Sequence, residues 1–215
     1  MNDLVLDELE RDALAELVNI GVSRAATGLR NMVGEPVTLS VPSVEVVNRK
    51  AAATLIQERE SDQLIAVRQD FDGIFSGRAL LIFPQCNSMA LVRAVAGDEL
   101  SSDDLAALEN EALAETGNVV LNSCLATMAN MLQEPLDVSL PQVIRGDGQI
   151  FFELNESVSD HGVVLFLYIN FAISGRNIRG YIAMLMDLPS LEALQTLIRE
   201  FIVRVMGSDD LGQFT

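Results

Sequence analysis

The chain has 215 residues, 49% of them hydrophobic, which is enough to bury a sizeable core in one large domain or two small ones. Its formal net charge of -17 comes from 31 acidic against 14 basic residues spread along the sequence. That balance argues against nucleic-acid binding by phosphate neutralisation and favours basic patches on a partner.

The amino terminus, MNDLVLDELERDALAEL, lacks a basic start followed by an apolar run, so no secretory signal and a cytoplasmic chain are expected. From Asp12 onward the periodicity predicts a helix. At about 100° per residue, Leu14, Val18, Gly21, Ala25, Leu29 and Met32 share an inward face. Asp12, Glu16, Asn19 and Ser23 recur at spacings that place them nearly opposite, facing solvent. Pro36 marks the helix end, and VTLSV then alternates as a strand. Strands are predicted at QLIAVRQDF and GRALLIFP, parted at Asp72-Gly73, with a short helix over residues 88–95. The polar stretch GDELSSDD, residues 97–104, reads as a joint between two halves. Ser101 or Ser102 suits the cap of the next helix, with Asp103 and Asp104 at the positive end of its dipole.

That second helix repeats the first. Leu113, Gly117, Val120, Cys124, Met128 and Met131 are predicted inward, and Glu111, Glu115, Asn118 and Asn122 outward. Pro135 ends it and LDVSL alternates. GQIFFEL, GVVLFLYINF and GYIAMLMD are then predicted as strands. A final helix over residues 190–205 turns Leu191, Leu194, Leu197, Ile198, Phe201, Ile202 and Val205 towards the core. The longest apolar stretch, from Gly162, is too short to span a membrane. His161 reads as a turn residue, and Met32, Met128 and Met131 as core packing. One His with two Cys, Cys86 and Cys124, and no C-x-x-C spacing give no typical zinc cage, so both cysteines are expected to be structural.

A shift of 99 positions, which carries Glu16 onto Glu115, superimposes the two helix-strand segments without a gap. Ala13, Leu14, Ala15, Asn19, Asn31, Met32, Glu35, Pro36, Ser40, Pro42 and Val44 recur identically. The expected class is α+β, built by duplication, with antiparallel strands and helices packed on the sheet. A polar stripe on an amphipathic helix is ordinarily its wet face. Glu and Asn kept at matching places in both copies, while Leu17 becomes Thr116 and Ile20 becomes Val119, favour a presented site, and the spacing alone leaves both readings open.

Asp12-x-x-x-Glu16-x-x-Asn19, followed after 22 residues by Pro42, resembles the signature of the CheC, CheX and FliY phosphatases of chemotaxis. Glu111-x-x-x-Glu115-x-x-Asn118, followed after the same interval by Pro141, matches it again, except that Glu111 stands where the pattern has Asp or Ser. Two motifs in one chain most resemble the CheC layout, whereas FliY adds a flagellar-switch domain for which little length is left. The resemblance implies a CheC-like fold over residues 1–215, made of pseudo-symmetric halves at about 1–97 and 98–215, with an antiparallel-rich sheet under two long motif-bearing helices. It also implies hydrolysis of the aspartyl phosphate on the response regulator CheY. Asn19 and Asn118 would position the attacking water, Glu16 and Glu115 would pair with the regulator's lysine, and Asp12, Pro42, Glu111 and Pro141 would support them. No cofactor is expected on this chain, because the Mg2+ is held by the regulator. The deamidase CheD is a further implied partner. A non-enzymatic adaptor for CheD, or a switch scaffold related in fold to FliM, is the alternative.

Overall fold

The computed structural model describes residues 6–60, 63–96, 101–154, 162–173 and 176–209. His161, and most of the polar joint ahead of Ser101, lie outside them.

Helix α1 (Glu8–Val33) opens on a capping box, in which the Glu10 amide donates to Asp7 Oδ1 at 2.8 Å and the Asp7 amide to Glu10 Oε2 at 2.9 Å. It ends at Gly34, whose φ of 73° lets the chain turn away two residues before Pro36. Strand β1 (Val37–Asn48), helix α2 (Arg49–Arg59), strands β2 (Leu64–Gly73) and β3 (Gly77–Pro84) and helix α3 (Gln85–Ala96) complete the first half. Helix α4 (Ser102–Leu132) is capped by Ser101, as the sequence suggests, with Asp103 and Asp104 in its first turn. Strands β4 (Leu136–Val138) and β5 (Gln142–Gly146), one-turn helix α5 (Gly148–Phe151), strands β6 (Val163–Ile173) and β7 (Arg176–Met186) and helix α6 (Leu188–Asp209) follow.

The strands form one antiparallel sheet in the order β1-β6-β7-β3-β2-β4, with β5 also on β2. That order reads the same from either end once each strand is exchanged for its copy. The first strand of each half pairs with the second strand of the other: β1 with β6, and β4 and β5 with β2. Side chains alternate between two cores. On one face Ile65, Val67, Leu165, Leu167 and Ile182 pack under α1, α3, α4 and α6. On the other, Phe166, Tyr168 and Tyr181 form an aromatic cluster with Phe151 and Phe152.

The helix faces fall where the periodicity places them: Leu14, Val18, Ala25, Leu29, Leu113, Val120, Cys124 and Met128 are buried. Met32 and Met131 are partly buried against the same core. In α6, Leu191, Leu194, Leu197 and Ile198 are buried, with Phe201 and Ile202 against the core, but Val205 is exposed. Cys86 is exposed as well, so it has no buried packing role, whereas burial pushes the Cys124 thiol up to about 12.

Three elements differ from expectation. GQIFFEL is no strand, because Asp147 Oδ1 accepts from the amides of Gln149 and Ile150 at 3.0 Å each and winds the run into α5. Its apolar content is spent on Phe151 and Phe152, which fill the aromatic core. Helix α2 arises because Asn48 Oδ1 caps the Ala51 amide at 2.7 Å and Ala52, Ala53 and Ile56 supply a narrow apolar stripe. LDVSL shrinks to β4, with β5 resuming after Pro141. The pairing of β1 is irregular at the matching place, between Ser40 and Ser43, where Pro42 sits. A proline has no N–H for the ladder, so each copy of the strand is interrupted there.

Candidate functional site

Both motif helices carry their Glu outward. Glu16 and Glu115 are exposed, and Asn19 and Asn118, three residues along and thus about 4.5 Å further up the axis, are half-buried. Asp12 and Glu111 are exposed one turn before the glutamates. Pro42 lies within β1, its side chain outside the described residues, and Pro141 is half-buried between β4 and β5. The prolines therefore sit within or between strands of the sheet. The helices themselves are pressed down hard. A Cβ on Gly21 would stand 2.8 Å from Cys124 Cα, and one on Gly117 would stand 2.3 Å from Val67 Cγ1, so α1 meets α4 backbone to backbone and the α4 backbone rests on the Val67 side chain of β2.

Around the first site, Glu16, Asn19, Ile20, Ser23, Arg24 and Thr27 line an open depression of about 410 Å³. Arg24 Nη1 donates to Thr127 Oγ1 at 3.2 Å, tying this side of α1 to α4. Asn19 has no side-chain hydrogen bond among the described residues. Beside the second site, Met32, Val95, Leu108 and Ala112 form an apolar cleft of about 330 Å³ whose rim carries Glu111 and Glu115.

The second asparagine is held quite differently. Gln69, on β2 and only 1% exposed, directs its Nε2 at three acceptors: Ser139 O at 3.0 Å, and Asn118 Oδ1 and Asn122 Oδ1 at 3.3 Å each. Asn122 Nδ2 also donates to Asn118 Oδ1, at 2.7 Å. Asn122, expected to face solvent, is thus half-buried and turned onto its neighbour. The interrupted strand after β4 matters here, because it leaves the Ser139 carbonyl outside the ladder to receive Gln69. Gln69 Oε1 is buried without a partner among the described atoms, a cost of about 1–3 kcal/mol for an unsatisfied acceptor. Sequence reasoning passed over Gln69, although a signal was present. In QLIAVRQDF it shares parity with Ile65, Val67 and Phe71, making it the polar residue in an inward stripe.

One antiparallel sheet thus carries two clamped helices, each with one Glu/Asn pair. No family model matches the chain. The flagellar motor switch phosphatase FliY of Bacillus subtilis (strain 168) is 27% identical over 140 residues, 64% of this chain, and the chain spans only 36% of that relative's length. The CheY-P phosphatase CheC of the same organism is 22% identical over 199 residues, covering 88% of this chain and 93% of the relative. Among solved structures, Thermotoga maritima FliY superimposes with a TM-score of 0.72 at 17% identity, over 92% of this chain and 100% of that one, and so shares the fold. The chain is thus similar in sequence to proteins named as CheC and FliY phosphatases, and it shares the FliY fold.

Proposed function

We propose that this chain is a phosphatase that hydrolyses the aspartyl phosphate of a CheY-type response regulator, using Glu16 with Asn19 and Glu115 with Asn118. The observation that carries the reading is the disposition of the two pairs, each with an exposed Glu and a half-buried Asn on a helix anchored by its opposite face. The relatives named as phosphatases supply the reaction class.

An aspartyl phosphate is a mixed anhydride that already hydrolyses in water, so an accelerator has only to orient the nucleophile. Water oxygen bonds to phosphorus as the bond to the aspartate oxygen breaks. The carboxylate leaves, and the water protons end on inorganic phosphate and solvent. Placing that water in line replaces a random encounter with a fixed one. An Asn carboxamide suits the task because it is neutral and approaches the phosphoryl oxygens without repulsion. A carboxylate does not, so Glu16 and Glu115 are placed to settle against the regulator's lysine, while the Mg2+ stays in the regulator's own acidic pocket. Rigid helices hold such a constellation more tightly than loops.

The test is phosphate release from the phosphorylated regulator. Asn19→Ala with Asn118→Ala abolishes stimulated release and leaves binding to the beryllofluoride-loaded regulator intact, and each single variant keeps one working site. Undiminished release by the double variant rules the assignment out and leaves the adaptor reading.

A further inference from the structure

The duplication sets a comparison inside one molecule. Leu39 pairs with Phe171, and its copy Val138 pairs with Phe71, so Phe71 and Phe171 are equivalent positions of the sheet. Two residues earlier, Gln69 therefore corresponds to Ile169, which is buried in the same core layer. On the helices, Asn122 corresponds to Ser23. The second site thus has two carboxamides behind its asparagine where the first has an isoleucine and a serine.

The orientation of the group is settled by a backbone atom. A carbonyl only accepts, so Ser139 O at 3.0 Å fixes which end of Gln69 is nitrogen. Gln69 Nε2 and Asn122 Nδ2 then both face Asn118, so Asn118 must turn its oxygen to them. Both lone pairs of Asn118 Oδ1 are occupied by these donors. Its Nδ2 has no partner among the described residues and is the end left for a docked protein.

We infer that Gln69, with Asn122, is the positioning device of the second site: it locks the Asn118 carboxamide in one orientation with its N–H groups outward, and the first site has no equivalent. This rests on the phosphatase reading above. A water accepting from Asn118 Nδ2 keeps a second lone pair for phosphorus, and a carboxamide already fixed does not have to be ordered when the regulator docks. A buried glutamine with an unpartnered Oε1 is a poor choice for core stability, and its two N–H groups, one on Ser139 O and one shared between the two asparagine oxygens, account for its presence.

The experiment uses the full chain with one asparagine removed at a time. In Asn19→Ala, where turnover depends on Asn118, adding Gln69→Met lowers kcat roughly tenfold and leaves KM unchanged. In Asn118→Ala, the same substitution changes kcat by less than about twofold, which a general loss of packing would not allow. Gln69→Leu, a second hydrocarbon with no donor, reproduces the loss in Asn19→Ala. If Gln69→Met fails to fold, Asn122→Ala removes the other donor from a half-buried position and is read in the same way. Independently of turnover, the Asn118 side-chain NH2 resonance is rigid in the parent and gains picosecond-to-nanosecond mobility in Gln69→Met, while that of Asn19 is mobile in both. Equal losses in the two backgrounds, no loss in Asn19→Ala, or an Asn118 carboxamide as mobile as that of Asn19 in the parent would each overturn the inference. If the double Asn variant still releases phosphate, the phosphatase reading fails while the resonance test of Gln69 stands.

Discussion

Gly117 lies one residue before Asn118, at the place where α4 touches β2, and substituting it separates helix propensity from packing. On an exposed helix, Gly→Ala would stabilise by about 1 kcal/mol. Here the added Cβ stands 2.3, 2.4 and 2.8 Å from Val67 Cγ1, Cβ and Cγ2. Valine is branched at Cβ and stiff at χ1, so it has no rotamer that withdraws all three atoms. Overpacking costs about 1–3 kcal/mol against that propensity gain of about 1 kcal/mol, giving a net loss of up to about 2 kcal/mol for Gly117→Ala. In a chain of this size that is a fall in Tm of up to about 8 °C. Val67→Ala alone opens a cavity and also destabilises. Together the two substitutions exchange volume across the same contact, so the pair recovers at least about 1 kcal/mol relative to the sum of the single variants. Urea unfolding followed by circular dichroism closes the cycle. A Gly117→Ala that is more stable than the parent, or a strictly additive pair, refutes the close approach on which the placing of Asn118 over Gln69 depends.

Glu10 is 1% exposed. Burial acts to raise its pKa, but Gln195, the Asp7 amide and the Arg199 guanidinium outweigh that and hold the carboxyl below its usual value of 4.5. A carboxylate with a depressed folded pKa contributes stability above its unfolded value and loses it as pH falls through the folded one. Urea midpoints therefore decline below about pH 4.5 in the parent, and Glu10→Gln flattens that decline. An unchanged acid slope in Glu10→Gln removes Glu10 from the account. Under native conditions a thiol reagent modifies the exposed Cys86, and Cys124 reacts only on unfolding; labelling followed by mass spectrometry distinguishes them. Phe166 sits among Phe152, Tyr168 and Tyr181 on the face away from the site, so Phe166→Ala costs about 3–5 kcal/mol by denaturant titration.

What could be read from the sequence followed from periodicity and repetition. The two long helices, their inward faces and a cap at Ser101 or Ser102 are local properties, and the 99-position shift carries the helices and faces, but not the cap, from one copy to the other. The placement of Glu16, Asn19, Glu115 and Asn118 on those helices was legible for the same reason. Helix α2 was obscured because RKAAATLIQER buries only two alanines and an isoleucine, too thin a stripe to stand out. Residues 148–154 misled because a short apolar run fits a strand and a buried turn equally well, and Asp147 decides through two backbone hydrogen bonds. Gln69 is a different kind of miss. Its partners are 49, 53 and 70 residues away, and only the pairing of β2 with β4 and β5 brings them together.

The exchanged strands bear on how the two sites came to differ. Half of this chain taken alone would leave its first strand without the neighbour it has here, and a second copy of the same half could supply that neighbour across a twofold axis. In such a symmetric pair every substitution appears twice, so a glutamine placed behind one asparagine is placed behind both. Joining the copies end to end lifts that constraint. Position 69 can hold a hydrogen-bond donor while position 169 keeps a hydrocarbon, so the two asparagines of one polypeptide need not be held alike.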